Sequence, residues 1–166
     1  MTRIVHVNLP SLSGYELERE LFARCGAELS CAATRDSEEL VAAAQDAEVV
    51  LFTAARFDAG VFDRLPRLRL LVRYGMGYDA VDLAAARAHG VDVCNAPSYG
   101  AEAVAEHAWA LMMAVNRKIP SYDAQIRAGR FGAGAGYPSY RMSGKTLGLL
   151  GFGRIARRAA QLARGF

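Results

Sequence analysis

An α/β fold built on a parallel sheet is predicted by three features of the 166-residue sequence. Short apolar runs recur along it, helical patterns with start and stop signals fall between them, and a glycine-rich turn joins the last run to a final helix. Parallel neighbours need a crossover connection, usually a helix, so this alternation argues against an antiparallel sheet.

Arg3 to Asn8 reads as the first strand, ended by Pro10. Ser13 and Glu16 form a capping-box pattern before a helix with Leu17, Leu21, Phe22 and Cys25 at helical spacing, stopped at Gly26. Glu28 to Ala32 is the second strand, and Asp36 or Ser37 caps a helix running through Gln45. Val49 to Phe52 and Leu68 to Arg73 are the third and fourth strands. A helix from Val81 to His89, closed by Gly90, leads to a fifth strand, Val91 to Cys94, which Asn95-Ala96-Pro97 ends. The first hundred residues therefore read as flavodoxin-like.

From Ala101 to Arg117 the pattern becomes a helix apolar nearly all round, which predicts that most of its sides are covered. Pro120 interrupts it, Ser121 caps a second helix toward Ala128, and Gly129 to Gly136 holds four glycines in eight residues. Thr146 to Leu150 then reads as a strand, followed by a glycine turn and an Ala/Arg-rich helix. The division expected is residues 1–99 as one domain and 100–166 as the start of another.

The 52% hydrophobic and 22% charged composition is that of an ordinary globular protein. The net charge of +3 carries no run of like charges, so neither nucleic acid nor an anionic membrane is expected as a partner. The densest basic stretch, Arg64 to Arg73, is interleaved with leucines and reads as a strand edge. Cys25, Cys31 and Cys94 have no metal-like spacing and read as small buried hydrophobes, which fits a reducing, cytoplasmic compartment. No signal peptide or membrane span is read, and no Cys/His spacing suggests a metal.

Gly151-Phe152-Gly153-Arg154-Ile155-Ala156 follows the G-x-G-x-x-G/A pattern between an apolar run and a helix. Gly151 permits a sharp turn, Gly153 lets the backbone approach a diphosphate, and Ala156 keeps the helix close to its strand. The helix N-terminus offers free N–H groups to phosphates. The acidic residue that distinguishes NAD from NADP belongs about twenty positions further on, so this choice is not read from the chain.

Three further blocks precede the fingerprint: Arg73 to Leu83 (RYGMGYDAVDL), Asn95-Ala96-Pro97-Ser98-Tyr99, and Val104-Ala105-Glu106-His107-Ala108. With Asn116-Arg117-Lys118 and Gly144 to Gly148, their order and spacing resemble the D-isomer-specific 2-hydroxyacid dehydrogenases, of which this chain looks like the N-terminal portion. The resemblance is close from Leu68 onward and general before it. It implies a flavodoxin-like substrate (catalytic) domain, 1–99, and the first β–α unit of a Rossmann NAD-binding domain, 100–166.

The resemblance places the substrate carboxylate on the backbone of Met76 and Gly77, a small-residue turn suited to anions. It sets Met76 also near the cofactor, turns the Tyr99 hydroxyl toward the substrate, and lines the nicotinamide pocket with Val104. The diphosphate falls to Gly151, Phe152, Gly153, Arg154, Ile155 and Ala156. Tyr78 and Asp82 read as structural. Two departures from the family pattern stand out: Ala80 replaces a common Asn, and Ala156 replaces the third glycine.

Reversible reduction of a 2-oxo acid needs a cation for the carboxylate and a base for the hydroxyl proton. The family draws an Arg and a Glu–His pair from after the fingerprint, so no catalytic residue is expected in this chain and the chain alone is expected to be inactive. His6 lies in a strand, His89 ends a helix, and His107 reads as a packing or interface residue. The family resemblance also implies a homodimer through the Ala101 to Arg117 helix. Two other readings stay open: an NAD(H)-dependent interaction protein similar to the C-terminal binding proteins, with which Cys94-Asn95 agrees, and an inactive truncated remnant.

Overall fold

Residues 1–8, 14–132 and 138–166 are described by the structure, a computed structural model. The chain divides into two compact units, Met1–Pro97 and Ser98–Phe166.

In the first unit five short strands form a parallel sheet, its inner strands apolar and buried while the two edge strands are largely exposed. They are β1 (Thr2–Asn8), β2 (Ala27–Ala33), β3 (Val49–Phe52), β4 (Leu70–Arg73) and β5 (Asp92–Asn95). All pairs are parallel and the order is β2-β1-β3-β4-β5, as the flavodoxin-like reading requires. The crossovers are α1 (Glu16–Arg24), α2 (Ser37–Ala44), α3 (Ala59–Phe62) and α4 (Leu83–Ala88).

The larger core fills the face under α2, α3 and α4, where Val5, Val7, Val50, Phe52 and Leu71 meet Leu40, Val41, Phe57, Val61 and Phe62. Fully burying side chains of this size stabilises by roughly 1.5–3 kcal/mol each. The opposite face holds a smaller cluster of Ile4, Leu29 and Leu51, with Tyr15 and Phe22 packed on it. Asp36 and Asp82 cap α2 and α4 through their carboxylates, which accept from Glu38 and Glu39, and from Ala84 and Ala85.

Several expectations need correction. Helix α1 begins at Glu16 with Tyr15 at the N-cap and no side-chain cap, so Glu16 is the first helical residue and not the third that a capping box needs. Ser13 and Pro10 lie outside the described residues. All three cysteines are exposed rather than buried. Cys31 and Cys94 terminate a cross-strand row, Cys31–His6–Leu51–Val72–Cys94, whose centre is covered and whose ends are the two sheet edges. Helix α3, with Asp58 as its cap, was not read in the sequence because four residues show no periodicity.

The second unit contains α5 (Ala101–Asn116), α6 (Ile119–Arg127) and α7 (Arg154–Leu162), followed by a 3-10 turn, Ala163–Gly165. Helix α5 packs on α7: the Trp109 indole N–H donates to the Ala159 carbonyl at 2.9 Å, and its ring stacks on Phe166 with centroids 4.9 Å apart. Only Ala105 and Trp109 of α5 are buried, while Val104, Leu111 and Val115 are exposed, so the expectation of cover on most sides does not hold for this chain. The long helix is interrupted as expected, ending at Asn116, and Pro120 sits in the first turn of α6, where a missing N–H costs nothing. Lys118 (φ 57°), not Ser121, is the N-cap. The glycine-rich stretch 129–136 lies partly outside the described residues.

Residues 146–150 are not a strand. A strand is held by its neighbours, and among the described residues this segment has none, which leaves Leu150 fully exposed. No described helix is long and apolar enough to cross a membrane.

Candidate functional site

Strand β4 delivers the chain to a turn, Tyr74 to Gly77, at the carboxyl end of the sheet, where open α/β sheets bind ligands. Three donors engage its carbonyls: Arg73 Nη1 reaches Tyr74 O at 2.6 Å, Ala96 N–H reaches Gly75 O at 3.0 Å, and Asn95 Nδ2 reaches Met76 O at 2.7 Å. The Tyr74 N–H continues the ladder to Phe52 O at 2.8 Å, and the Gly75 N–H closes on Arg73 O at 2.9 Å. Among the described residues nothing accepts from the N–H of Met76 or of Gly77. Met76 is half-buried and Gly77 exposed. The turn is therefore a rigid pair of adjacent backbone donors, able to hold an anion.

Charge around it is mixed. The Arg73 guanidinium lies 5.6 Å from the Phe52 ring centroid, and no described carboxylate forms an ion pair with it. A Cβ on Gly75 would stand 2.5 Å from Arg73 Nη1, so glycine is what admits the guanidinium there. On the other side a Cβ on Gly77 would stand 3.2 Å from the Asp79 carboxylate. Tyr78 is exposed, and Asp82 caps α4, in keeping with a structural role.

On the other face of the sheet His6 is fully buried between the rings of Tyr15, 4.4 Å away, and Tyr74, 4.8 Å away. Neither of its ring nitrogens has a hydrogen-bond partner, and the Tyr15 hydroxyl is likewise unpartnered. Burial lowers the His6 pKa, against a smaller upward pull from Glu18, so the ring is neutral. Burial also raises the Tyr74 phenol, helped by Glu18.

In the second unit Gly151 has φ 83°, a left-handed conformation that favours glycine. Gly153 is the N-cap of α7 with no side-chain cap, and a Cβ there would meet nothing within 4 Å. The start of α7, where Ile155 and Ala156 follow an uncapped glycine, presents helix N–H groups at a turn without side-chain bulk, which fits a diphosphate. Phe152 is 65% exposed. Tyr99, 74% exposed, and Val104, 44% exposed, belong to this unit, at and just before the start of α5. His107 is exposed on α5.

The structure brings Met76 and Gly77 together in one turn, and residues 151–156 in another. Sequence reasoning missed the clamps, Arg73, Asn95 and Ala96, although it had singled out both blocks containing them. The missing information was the pairing of β4 with β5, which sets Arg73 beside Asn95.

The profile of the family described as "D-isomer specific 2-hydroxyacid dehydrogenase, catalytic domain" matches residues 11–160. The D-3-phosphoglycerate dehydrogenase of Mycobacterium bovis is 39% identical over 132 residues, 79% of this chain and 25% of that protein. The glyoxylate reductase of Thermococcus kodakarensis is 38% identical over 124 residues, 71% of this chain and 37% of that protein. The solved NAD complex of NAD-dependent formate dehydrogenase from Staphylococcus aureus superposes with a TM-score of 0.85 at 25% identity, covering 97% of this chain and 53% of that one. The chain spans 25% and 37% of the length of these two curated relatives. With the family profile covering nearly all of it, the chain belongs to the D-isomer specific 2-hydroxyacid dehydrogenase family.

Proposed function

We propose that this chain is the substrate-binding part, with the opening of the cofactor-binding part, of an NAD-dependent oxidoreductase acting on the CH–OH group of a D-2-hydroxy acid. The observation that carries this reading is the Met76–Gly77 pair of unengaged donors at the carboxyl end of the sheet, in a chain of this family. Residues 1–99 are the substrate domain and 100–166 begin the dinucleotide domain.

In this reading the N–H groups of Met76 and Gly77 hold the carboxylate, and the Tyr99 hydroxyl turns toward the substrate. The uncapped N-terminus of α7 and the Gly151 to Ala156 turn hold the diphosphate; Val104 lines the nicotinamide pocket, with Met76 also near the cofactor. A nicotinamide held there would supply the hydride acceptor or donor for the substrate's second carbon. The hydroxyl proton goes to a base, which by family resemblance is a His paired with a Glu outside this chain, as is the Arg that polarises the carbonyl. What these 166 residues contribute is orientation: a fixed carboxylate leaves one face of the second carbon toward the cofactor. NADP in place of NAD is a variant of the same proposal. The protein acts in the cytoplasm on a small 2-hydroxy or 2-oxo acid, as a homodimer.

A hybrid tests this directly: this chain joined to the part of the Thermococcus glyoxylate reductase that lies beyond the matched residues. Consumption of NADH with glyoxylate, pyruvate or hydroxypyruvate is the expected result. A folded hybrid that binds NADH and reduces none of them would remove the proposal.

A further inference from the structure

The Asn95 side chain grips the carbonyl of Met76, and its neighbour Ala96 grips the carbonyl of Gly75 through its backbone N–H. Among the described residues there is no cis peptide bond. In a trans peptide the C=O and the following N–H lie in one plane and point in opposite directions. Holding Gly75 O therefore fixes the direction of the Met76 N–H, and holding Met76 O fixes that of the Gly77 N–H. Both fixed directions lead away from β5, and both N–H groups are unengaged.

From this geometry we infer that Asn95 is a positioning residue for the substrate carboxylate: by holding Met76 O it aims the Gly77 N–H at the anion without touching it. The inference rests on the carboxylate reading of the Met76–Gly77 turn and adds to it the residue that orients the donor. Of the two grips, that of Ala96 is main chain and survives any substitution short of proline. The grip of Asn95 is a side-chain amide, half-buried, at 2.7 Å, and it alone can be removed without altering the backbone. With it gone, the Met76–Gly77 peptide is free to rotate, and an anion would have to order it on binding. Arg73 holds Tyr74 O in the same way, but the N–H beyond that carbonyl is already bonded to Arg73 O, so its grip aims no free donor.

The test is an amide-resolved NMR titration of the 166-residue chain with sodium glyoxylate, and with sodium chloride as the control anion. In the unaltered chain the Met76 and Gly77 amides shift saturably with glyoxylate. In Asn95→Ala the Gly77 response weakens about tenfold, the size of one hydrogen bond to a charged group. The thermal midpoint moves little, which separates aiming the donor from holding the fold. Asn95→Ser serves as the second variant should the alanine chain fail to fold. An unaltered Gly77 response in a folded variant overturns the inference and leaves the carboxylate reading intact. No response at either amide in the unaltered chain overturns the carboxylate reading, and the inference with it.

Discussion

At the scale of single residues, two histidines give the first unit opposed responses to pH. His6 is neutral because its ring is buried between two tyrosines with no acceptor for a second proton. Its folded pKa lies below the unfolded value of about 6.5, so the unfolded chain binds the proton more readily and stability falls as the pH drops below that value. His89 is the reverse. Its ring meets the Ala85 carbonyl at 2.8 Å and the Asp63 carboxylate at 2.9 Å, and these partners raise its pKa, the carbonyl most. Its contribution is complete below pH 6.5 or so and is lost as the pH rises through the raised value. His6→Phe should flatten the acid side of a urea-midpoint profile at little cost in stability, since a buried unpaired polar ring gives way to an apolar one of similar shape. His89→Gln should flatten the neutral-to-alkaline side. An acid limb unchanged in His6→Phe would show that His6 is not the group responsible. None of this was legible in the sequence, which places His6 in a strand and says nothing of the tyrosines that close over it.

At the scale of elements, the strands were legible because a parallel sheet buried on both faces is written as short apolar runs. β3 was read to the residue, and the others to within a residue or two at each end. What failed was whatever depends on a neighbour. Residues 146–150 have the composition of a strand but no ladder to join, and Cys31 and Cys94 look like core residues until the strand order puts them on the edges. The clamps on the Gly75–Met76 turn were hidden for the same reason, because Asn95 meets Met76 only through the pairing of β4 and β5. In the second unit the attachment of α7 to α5 centres on Trp109, with the Arg158–Glu102 pair at 3.6 Å adding little because it is partly exposed. Trp109→Phe keeps most of the apolar area and deletes the hydrogen bond to Ala159, leaving that carbonyl its helical bonding alone. It should cost about 1 kcal/mol of the stability of this pairing. Tryptophan-to-phenylalanine exchange with no change in the hydrogen-exchange protection of α7 would argue that the indole N–H contributes nothing.

For the whole molecule, the family was readable from motif order, and the proposed coenzyme turn rests on the same motifs. The turn at Gly151 has its glycine conformation and an uncapped helix N-terminus, but among the described residues the segment before it joins no sheet. A nicotinamide dinucleotide spans such a sheet, so the isolated 166-residue chain should show no micromolar affinity for NAD by calorimetry; heat of binding in that range would contradict this account. The exposed apolar side of α5, with Val104, Leu111 and Val115, suits the proposed homodimer. Light scattering should find a dimer at high concentration, and a persistent monomer would count against pairing by this chain alone.

The central claim is that two backbone amides of one turn hold a carboxylate, and amide hydrogen exchange reads those two groups individually. Saturating glyoxylate should slow exchange at Met76 and Gly77 while leaving the exposed amides of α1 as they were. Protection confined to other parts of the chain, or none at the turn, would contradict the claim.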